Sequence, residues 1–98
     1  MIYRQGDVLL ISIEAFPEKK KKKSLVLVEG EITGHCHQFN DPTIVSVFEA
    51  NNEQYVEILG TAELFHEDHD NLFIDKGLYR VVQQREVDLL GEIQKVID

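Results

Sequence analysis

Short runs of β-branched and aromatic residues, each bounded by turn residues, constrain the fold of this chain more than any other feature. Runs of this kind are typical of β-strands. Residues 8–13 are almost continuously apolar, as expected for a central strand covered on both faces. Residues 43–49 and 54–59 flank Asn51-Asn52, which predicts a hairpin. About seven such runs, spaced about 8–12 residues apart, predict an all-β fold, a compact antiparallel barrel or sandwich.

The chain has 98 residues, which predicts a single domain over residues 1–98. Its C-terminal segment is compatible with a short helix, because apolar residues recur there at helical spacing, although Gly91 weakens that pattern. The run of five lysines at 19–23 predicts a solvated, self-repelling segment that suits a hairpin tip or loop.

The charge is strongly acidic and unevenly distributed. Eighteen Asp and Glu oppose ten Lys and Arg, giving a net charge of -8, and residues 51–98 hold eleven of the acids against four basic residues. A chain of this kind repels a phosphate backbone unless a local basic patch intervenes, so we expect no duplex DNA partner. The lone Cys36 excludes an internal disulfide. No apolar run approaches the roughly 18 residues of a membrane span, so we expect no membrane partner and a cytoplasmic location.

All four histidines fall into two tight pairs, His35/His37 and His66/His69. Residues i and i+2 of a strand project from the same face, so the first pair can aim two imidazoles at one point. The second pair cannot share a face of a regular strand, but a strand that runs into a turn can bring both side chains round. Imidazoles from separate elements commonly ligate Zn, Mn, Fe or Ni. The four histidines are therefore candidate ligands of one divalent transition metal, and chance clustering of exposed histidines is the plain alternative.

Charged residues near the two pairs extend the candidate site. Glu67 or Glu31 could activate water as a general base, and Asp68 and Asp70 could orient an imidazole. Arg85 could neutralise an anionic substrate. An ordinary acidic turn explains the carboxylates of residues 67–70 equally well.

Two resemblances arise at these residues. The segment from Gly30 to His37 resembles the H-x-H of the first cupin motif, which implies histidines that bind metal within a β-barrel. The chain has no P-x-G-x-x-H sequence of the second cupin motif. A wider set of motifs resembles a group of small uncharacterised bacterial and phage proteins. The resemblance is carried by four motifs, which are Arg4-Gln5-Gly6-Asp7-Val8, Gly30-Glu31-x-Thr33-Gly34-His35-x-His37, His66-Glu67-x-His69 and Gly77-x-Tyr79-x-Val81-x-x-Gln84-Arg85-Glu86. It implies one shared histidine site and no particular activity.

Three functions stay open on the sequence alone. The first is a metal-dependent hydrolase acting on RNA or another phosphodiester, with His35, His37, His66 and His69 as ligands. The second is a metal-independent ribonuclease that uses a histidine base and a histidine acid, with Arg85 or a lysine on the phosphate. The third is a non-enzymatic binding or regulatory module. A small molecule or RNA is the expected substrate, and a homo-oligomer is compatible with the sequence.

Overall fold

Ten β-strands make up the regular structure of residues 1–29 and 36–84, the part of the chain that this computed structural model describes. All the strand pairs are antiparallel. In chain order the strands are β1 (Ile2–Gln5), β2 (Val8–Ser12), β3 (Lys21–Lys23), β4 (Val26–Glu29), β5 (Cys36–Phe39), β6 (Val45–Ala50), β7 (Glu53–Ile58), β8 (Ala62–His66), β9 (His69–Ile74) and β10 (Gly77–Gln83).

The strands form two sheets. A six-stranded sheet has the order β1-β2-β10-β7-β6-β3, and a four-stranded sheet has the order β4-β5-β8-β9. The sheets form a sandwich-like arrangement and do not close into a barrel. The predicted all-β class is therefore confirmed, and of the two predicted architectures the sandwich is the one observed. The predicted C-terminal helix lies outside the described residues. In the described part of the chain, no helix has the length and apolar character needed to cross a membrane.

Alternating side chains build one core between the two sheets. Val47 on β6 and Val56 on β7 are fully buried, and so are Leu64 on β8 and Ile74 on β9. Each such side chain contributes about 1.5–3 kcal/mol relative to its exposed state. The core thus holds both sheets in one unit and positions the ends of the strands that carry the histidines.

Two tight hairpins connect neighbouring strands of the large sheet. Asn51 and Asn52 have φ angles of 55° and 65°, as a two-residue turn between β6 and β7 requires, which confirms the predicted hairpin. Gly6 has a φ of 60° in the turn Gly6-Asp7 between β1 and β2. Strand β1 was not among the predicted strands.

The lysine run differs from its predicted loop conformation. Lys21–Lys23 form strand β3, which pairs with β6 at the edge of the large sheet, although all three side chains are exposed. An edge strand is paired on one side only, and lysines at such an edge stay in water and discourage further pairing. The solvated character of the run was therefore correct, and its backbone conformation was not.

Candidate functional site

Three histidines form a row across one end of the four-stranded sheet. Gln38 on β5 pairs with Phe65 on β8, so one register step further places His37 opposite His66. His66 is in turn the direct partner of His69 on β9. The ring centroids are 4.4 Å apart for His37 and His66, 4.6 Å for His66 and His69, and 6.1 Å for His37 and His69. Three of the four predicted histidines thus come together, and His35 lies outside the described residues.

The hairpin register explains how His66 and His69 share a face. The two residues flank the turn Glu67-Asp68 and pair across it. Directly opposed residues of an antiparallel pair project from the same side of the sheet. The spacing i, i+3, which is unfavourable on one strand, therefore becomes favourable across a two-residue turn.

The buried side chain of Gln5 determines which nitrogen of His37 carries a proton. The Gln5 amide nitrogen donates to the main-chain oxygens of Leu64, at 2.9 Å, and Asp70, at 2.8 Å. These two bonds use both amide hydrogens, so Oε1 of Gln5 is an acceptor. It lies 2.8 Å from Nδ1 of His37. Neutral His37 therefore carries its hydrogen on Nδ1 and a lone pair on Nε2.

Asp7 faces that lone pair. Its Oδ1 lies 3.3 Å from Nε2 of His37, and its Oδ2 accepts a hydrogen bond from Nε2 of Gln83 at 3.0 Å. Burial, and then the neighbouring His66, lower the pKa of His37. Partial burial works against ionisation of Asp7, but the opposing interactions, chiefly the hydrogen bond from Gln83, outweigh it and lower the pKa of this carboxyl group. At neutral pH an unprotonated nitrogen therefore faces a carboxylate, an arrangement that a cation between them would stabilise.

His66 has the opposite tautomer. Its Nδ1 accepts a hydrogen bond from the backbone N–H of Asp68 at 2.9 Å. Neutral His66 therefore carries its hydrogen on Nε2 and is a donor there. Two imidazoles in ring contact thus offer different chemistry: His37 presents a lone pair and His66 presents an N–H.

Gly6 allows His69 to approach the β1–β2 turn. A Cβ atom on residue 6 would lie 2.8 Å from Cδ2 of His69, and the φ of +60° is itself unfavourable for side chains other than glycine. The tip of the first hairpin therefore packs directly against the third histidine. Because His69 and Asp7 are exposed, whereas His37 and His66 are buried, the site opens to solvent on their side.

The other charged residues predicted for the site add no contact to its described geometry. Glu67 is exposed in the β8–β9 turn, and Glu31 and Arg85 lie outside the described residues. Sequence reasoning assigned no role to Gln5, Asp7 or Gln83. A signal was available, since Gly-Asp between two apolar runs is typical of a hairpin turn that would bring β1 beside β2.

The described side chains contain part of a metal-ligand set. Within residues 1–29 and 36–84, no three His, Cys, Asp or Glu side chains converge as a complete set. Two ligand atoms do meet, Nε2 of His37 and Oδ1 of Asp7. The bond from Nδ1 of His37 to the Gln5 oxygen is of the type that orients metal-ligating histidines.

Comparison with curated proteins and with solved structures finds no match to this chain. One family model does match, described as a domain of unknown function, DUF8820, and the match covers residues 4–84. This range includes the β1–β2 turn with Gln5 and Asp7, all four histidines, and Gln83 at the end of β10. Because the match covers most of the 98 residues, the chain belongs to the DUF8820 family.

Proposed function

We propose that this protein binds one divalent transition metal, Zn, Mn, Fe or Ni, between His37 and Asp7, and uses it to hydrolyse a phosphodiester. One observation carries the proposal: Nε2 of His37, which the contact of Nδ1 with Gln5 leaves as the lone-pair nitrogen of the neutral ring, lies 3.3 Å from Oδ1 of Asp7. A lone pair and a carboxylate at this distance repel each other unless a proton or a metal ion lies between them. The Gln5 amide keeps the lone pair on this nitrogen.

The separation of the two atoms suits a shared ion. Bonds of about 2.1 Å at an angle between octahedral and tetrahedral place two ligand atoms about 3.0–3.5 Å apart. Imidazoles that share one ion have ring centroids about 4.5–5.5 Å apart by the same geometry. The two imidazoles assigned as ligands here, His37 and His69, have centroids 6.1 Å apart, so the ring of His69 would have to move toward His37 to share the ion.

The other two histidines take different roles in this proposal. His69 is exposed beside the Gly6 turn and would become the third ligand by a small rotation of its ring. His66 keeps its hydrogen on Nε2 because Asp68 occupies Nδ1, so it would donate to the substrate. Three protein ligands leave a position for water, which catalysis requires.

A hydrolytic reaction follows from this set of groups. The ion would lower the pKa of a bound water so that hydroxide attacks phosphorus. His66 would donate a hydrogen bond from Nε2 to the departing alkoxide oxygen, which takes its proton from solvent. RNA or a small phosphodiester is the proposed substrate, in the cytoplasm. The exposed side of the site, at Asp7 and His69, gives such a substrate access.

Metal binding is tested on protein prepared without a His-tag, stripped with chelator and titrated with Zn²⁺ and Mn²⁺ by calorimetry. We expect about one ion per chain, with affinity at least tenfold weaker in Asp7→Asn and His37→Gln. Asp75→Asn, which removes an exposed carboxylate in the β9–β10 turn, should bind as the wild type does. Weak, non-saturating uptake that is the same in all four proteins would refute the metal site.

A second candidate is the metal-independent ribonuclease, favoured by the opposite tautomers of His37 and His66 at a ring separation of 4.4 Å. One ring in its neutral form could take the ribose 2′-OH proton while the other ring, in its protonated form, gives a proton to the leaving oxygen. Such cleavage survives chelator, leaves a 2′,3′-cyclic phosphate and spares DNA. The metal-dependent reaction stops with chelator and needs no 2′-OH.

These differences give the decisive assay. Metal-loaded and chelator-treated proteins are incubated with RNA oligomers and with bis-p-nitrophenyl phosphate, and the RNA ends are identified by mass spectrometry. We expect turnover only with metal, and its loss in His66→Ala with the fold retained. Chelator-resistant release of cyclic phosphate would establish the second candidate instead. If metal-loaded protein shows no turnover, the result favours the third function, a non-enzymatic binding or regulatory module.

A further inference from the structure

The outer face of the six-stranded sheet carries a row of cationic and aromatic side chains. Lys22 on β3 pairs with Phe48 on β6, Phe48 pairs with Tyr55 on β7, and Tyr55 pairs with Arg80 on β10. Cross-strand partners project from the same face. The adjacent residue Val47 is fully buried, so the row lies on the face away from the core.

Phe16, from the segment after β2, adds a third ring to this face. Its centroid is 5.5 Å from that of Phe48 and 5.8 Å from that of Tyr55. Phe16 and Phe48 are only half-buried, so part of each ring surface is accessible. The ammonium group of Lys20 lies 5.6 Å from the Phe16 centroid and 5.2 Å from the Phe48 centroid, within the range of a cation–π contact.

The charge at this place is opposite to that of the chain. Half of the ten Lys and Arg residues occupy positions 19–23, and all five of these side chains are exposed. Acidic neighbours offset part of this charge, since Lys23 pairs with Glu49 at 3.4 Å and Arg80 approaches Glu53 at 3.8 Å. The positive charge is thus concentrated toward the β3 edge, beside the two accessible rings.

We propose that Phe16, Phe48, Lys20 and Lys22, here called the basic aromatic surface, bind single-stranded nucleic acid. The lysine run contains no aromatic residue, so in sequence it does not look like a stacking platform; the fold supplies the rings from β6 and the segment after β2. Bases stack on accessible rings while cations contact the phosphates, a combination typical of single-strand binding. Lys20 would move from the rings to a phosphate as a base takes its place.

A single strand fits this surface better than the other polyanions do. A duplex keeps its bases stacked internally and would use only the lysines, which the acidic remainder of the protein opposes. An acidic peptide would likewise engage the lysines and leave the rings unused. This binding does not depend on the proposed metal site, and it is measured in chelator so that the two proposals fail separately.

The experiment is fluorescence anisotropy with labelled oligouridine and oligothymidine of about 12 nucleotides, at about 50 mM salt and in chelator. We expect saturable binding of both strands that weakens as salt rises. Changing Lys20 and Lys22 together to Gln should weaken binding at least tenfold and reduce the slope of log affinity against log salt by about 1.4. The control variant Lys76→Gln removes an exposed cation in the β9–β10 turn, and its affinity for both strands should stay within about twofold of that of the wild type.

The rings are tested by Phe16→Leu and Phe48→Leu, which keep apolar bulk and remove the aromatic face. We expect about tenfold weaker binding for each, with circular dichroism confirming the fold. The lysine double variant gives an independent test where a phenylalanine variant fails to fold. No saturable binding by wild-type protein, or undiminished binding by the lysine double variant, would overturn the proposal. It is equally overturned if both leucine variants bind normally and polyglutamate competes as well as RNA does, since the surface would then accept acidic peptides.

Discussion

The side-chain oxygen of Gln5 lies 2.8 Å from Nδ1 of His37, while the Gln5 amide nitrogen is bound to the main-chain oxygens of Leu64 and Asp70. The amide cannot rotate by half a turn without placing its oxygen against two carbonyls. The proton on His37 is therefore held on Nδ1 by a residue on a different sheet, 32 positions away in the chain. A residue on strand β1 thus determines which tautomer the neutral His37 on β5 adopts.

Gln5→Glu tests this arrangement. A carboxylate still accepts from Nδ1 of His37, but it meets the carbonyls of Leu64 and Asp70 without a hydrogen to donate. Leaving two buried acceptors unsatisfied costs about 1–3 kcal/mol each. We expect the free energy of unfolding, measured by urea denaturation, to fall by about 2–5 kcal/mol. Lys76→Gln changes the net charge by the same amount at an exposed turn and should leave stability nearly unchanged, so an equal effect in both variants contradicts the prediction.

Gly6→Ala should disturb both stability and the site. The added Cβ meets the His69 ring and must adopt a φ of +60°. We expect a loss of about 1–3 kcal/mol in the free energy of unfolding and weaker metal binding, as His69 is pushed away. Gly60→Ala is the matched control, because its nearest atom would be Cδ1 of Ile44 at 3.9 Å. If the two alanine variants unfold at the same urea concentration, His69 does not pack on Gly6 as described.

The pKa of His37 predicts how the stability of metal-free protein depends on pH. Burial lowers this pKa below its usual value of about 6.5, so the unfolded chain binds the proton more readily than the folded one. The free energy of unfolding is therefore highest above about pH 6.5 and falls as the pH is lowered toward the folded-state pKa. Urea denaturation between about pH 8 and pH 5 measures the effect. His37→Gln should flatten this dependence, and an unchanged slope would assign it to other groups.

The lysine run should contribute little to stability even though Lys21–Lys23 form a strand. Changing all five lysines to Gln keeps the backbone pairing with β6 and removes exposed contacts, the ion pair between Lys23 and Glu49 and the cation–π contacts of Lys20. Exposed pairs of this kind are worth about 0–1 kcal/mol. We expect the Tm, followed by circular dichroism, to stay within about 5 °C of the wild type. A larger loss would show that the lysine side chains pack.

Local patterns in the sequence were sufficient for the all-β class, the β6–β7 hairpin and the closeness of the histidines. These properties depend on neighbouring residues: alternation sets which side chains share a face, and Asn51-Asn52 sets the turn. The His66/His69 pair belongs to this group as well, since a two-residue turn makes the two residues cross-strand partners. The same local rules predict a loop for the lysine run. That prediction is wrong for Lys21–Lys23 because the composition of the run does not indicate its pairing with β6.

The tertiary structure alone decided which groups surround the histidines. Asp7 and Gln5 lie 30 and 32 positions before His37. The residue pattern around Gln5 and the pattern around His37 do not predict that β1 contacts the four-stranded sheet. Likewise, only the tertiary structure brings the rings of Phe16 and Phe48 next to Lys20. Sequence period determines the face on which a side chain projects, whereas the order of strands in a sheet depends on how the whole core is filled, which is a property of the complete chain.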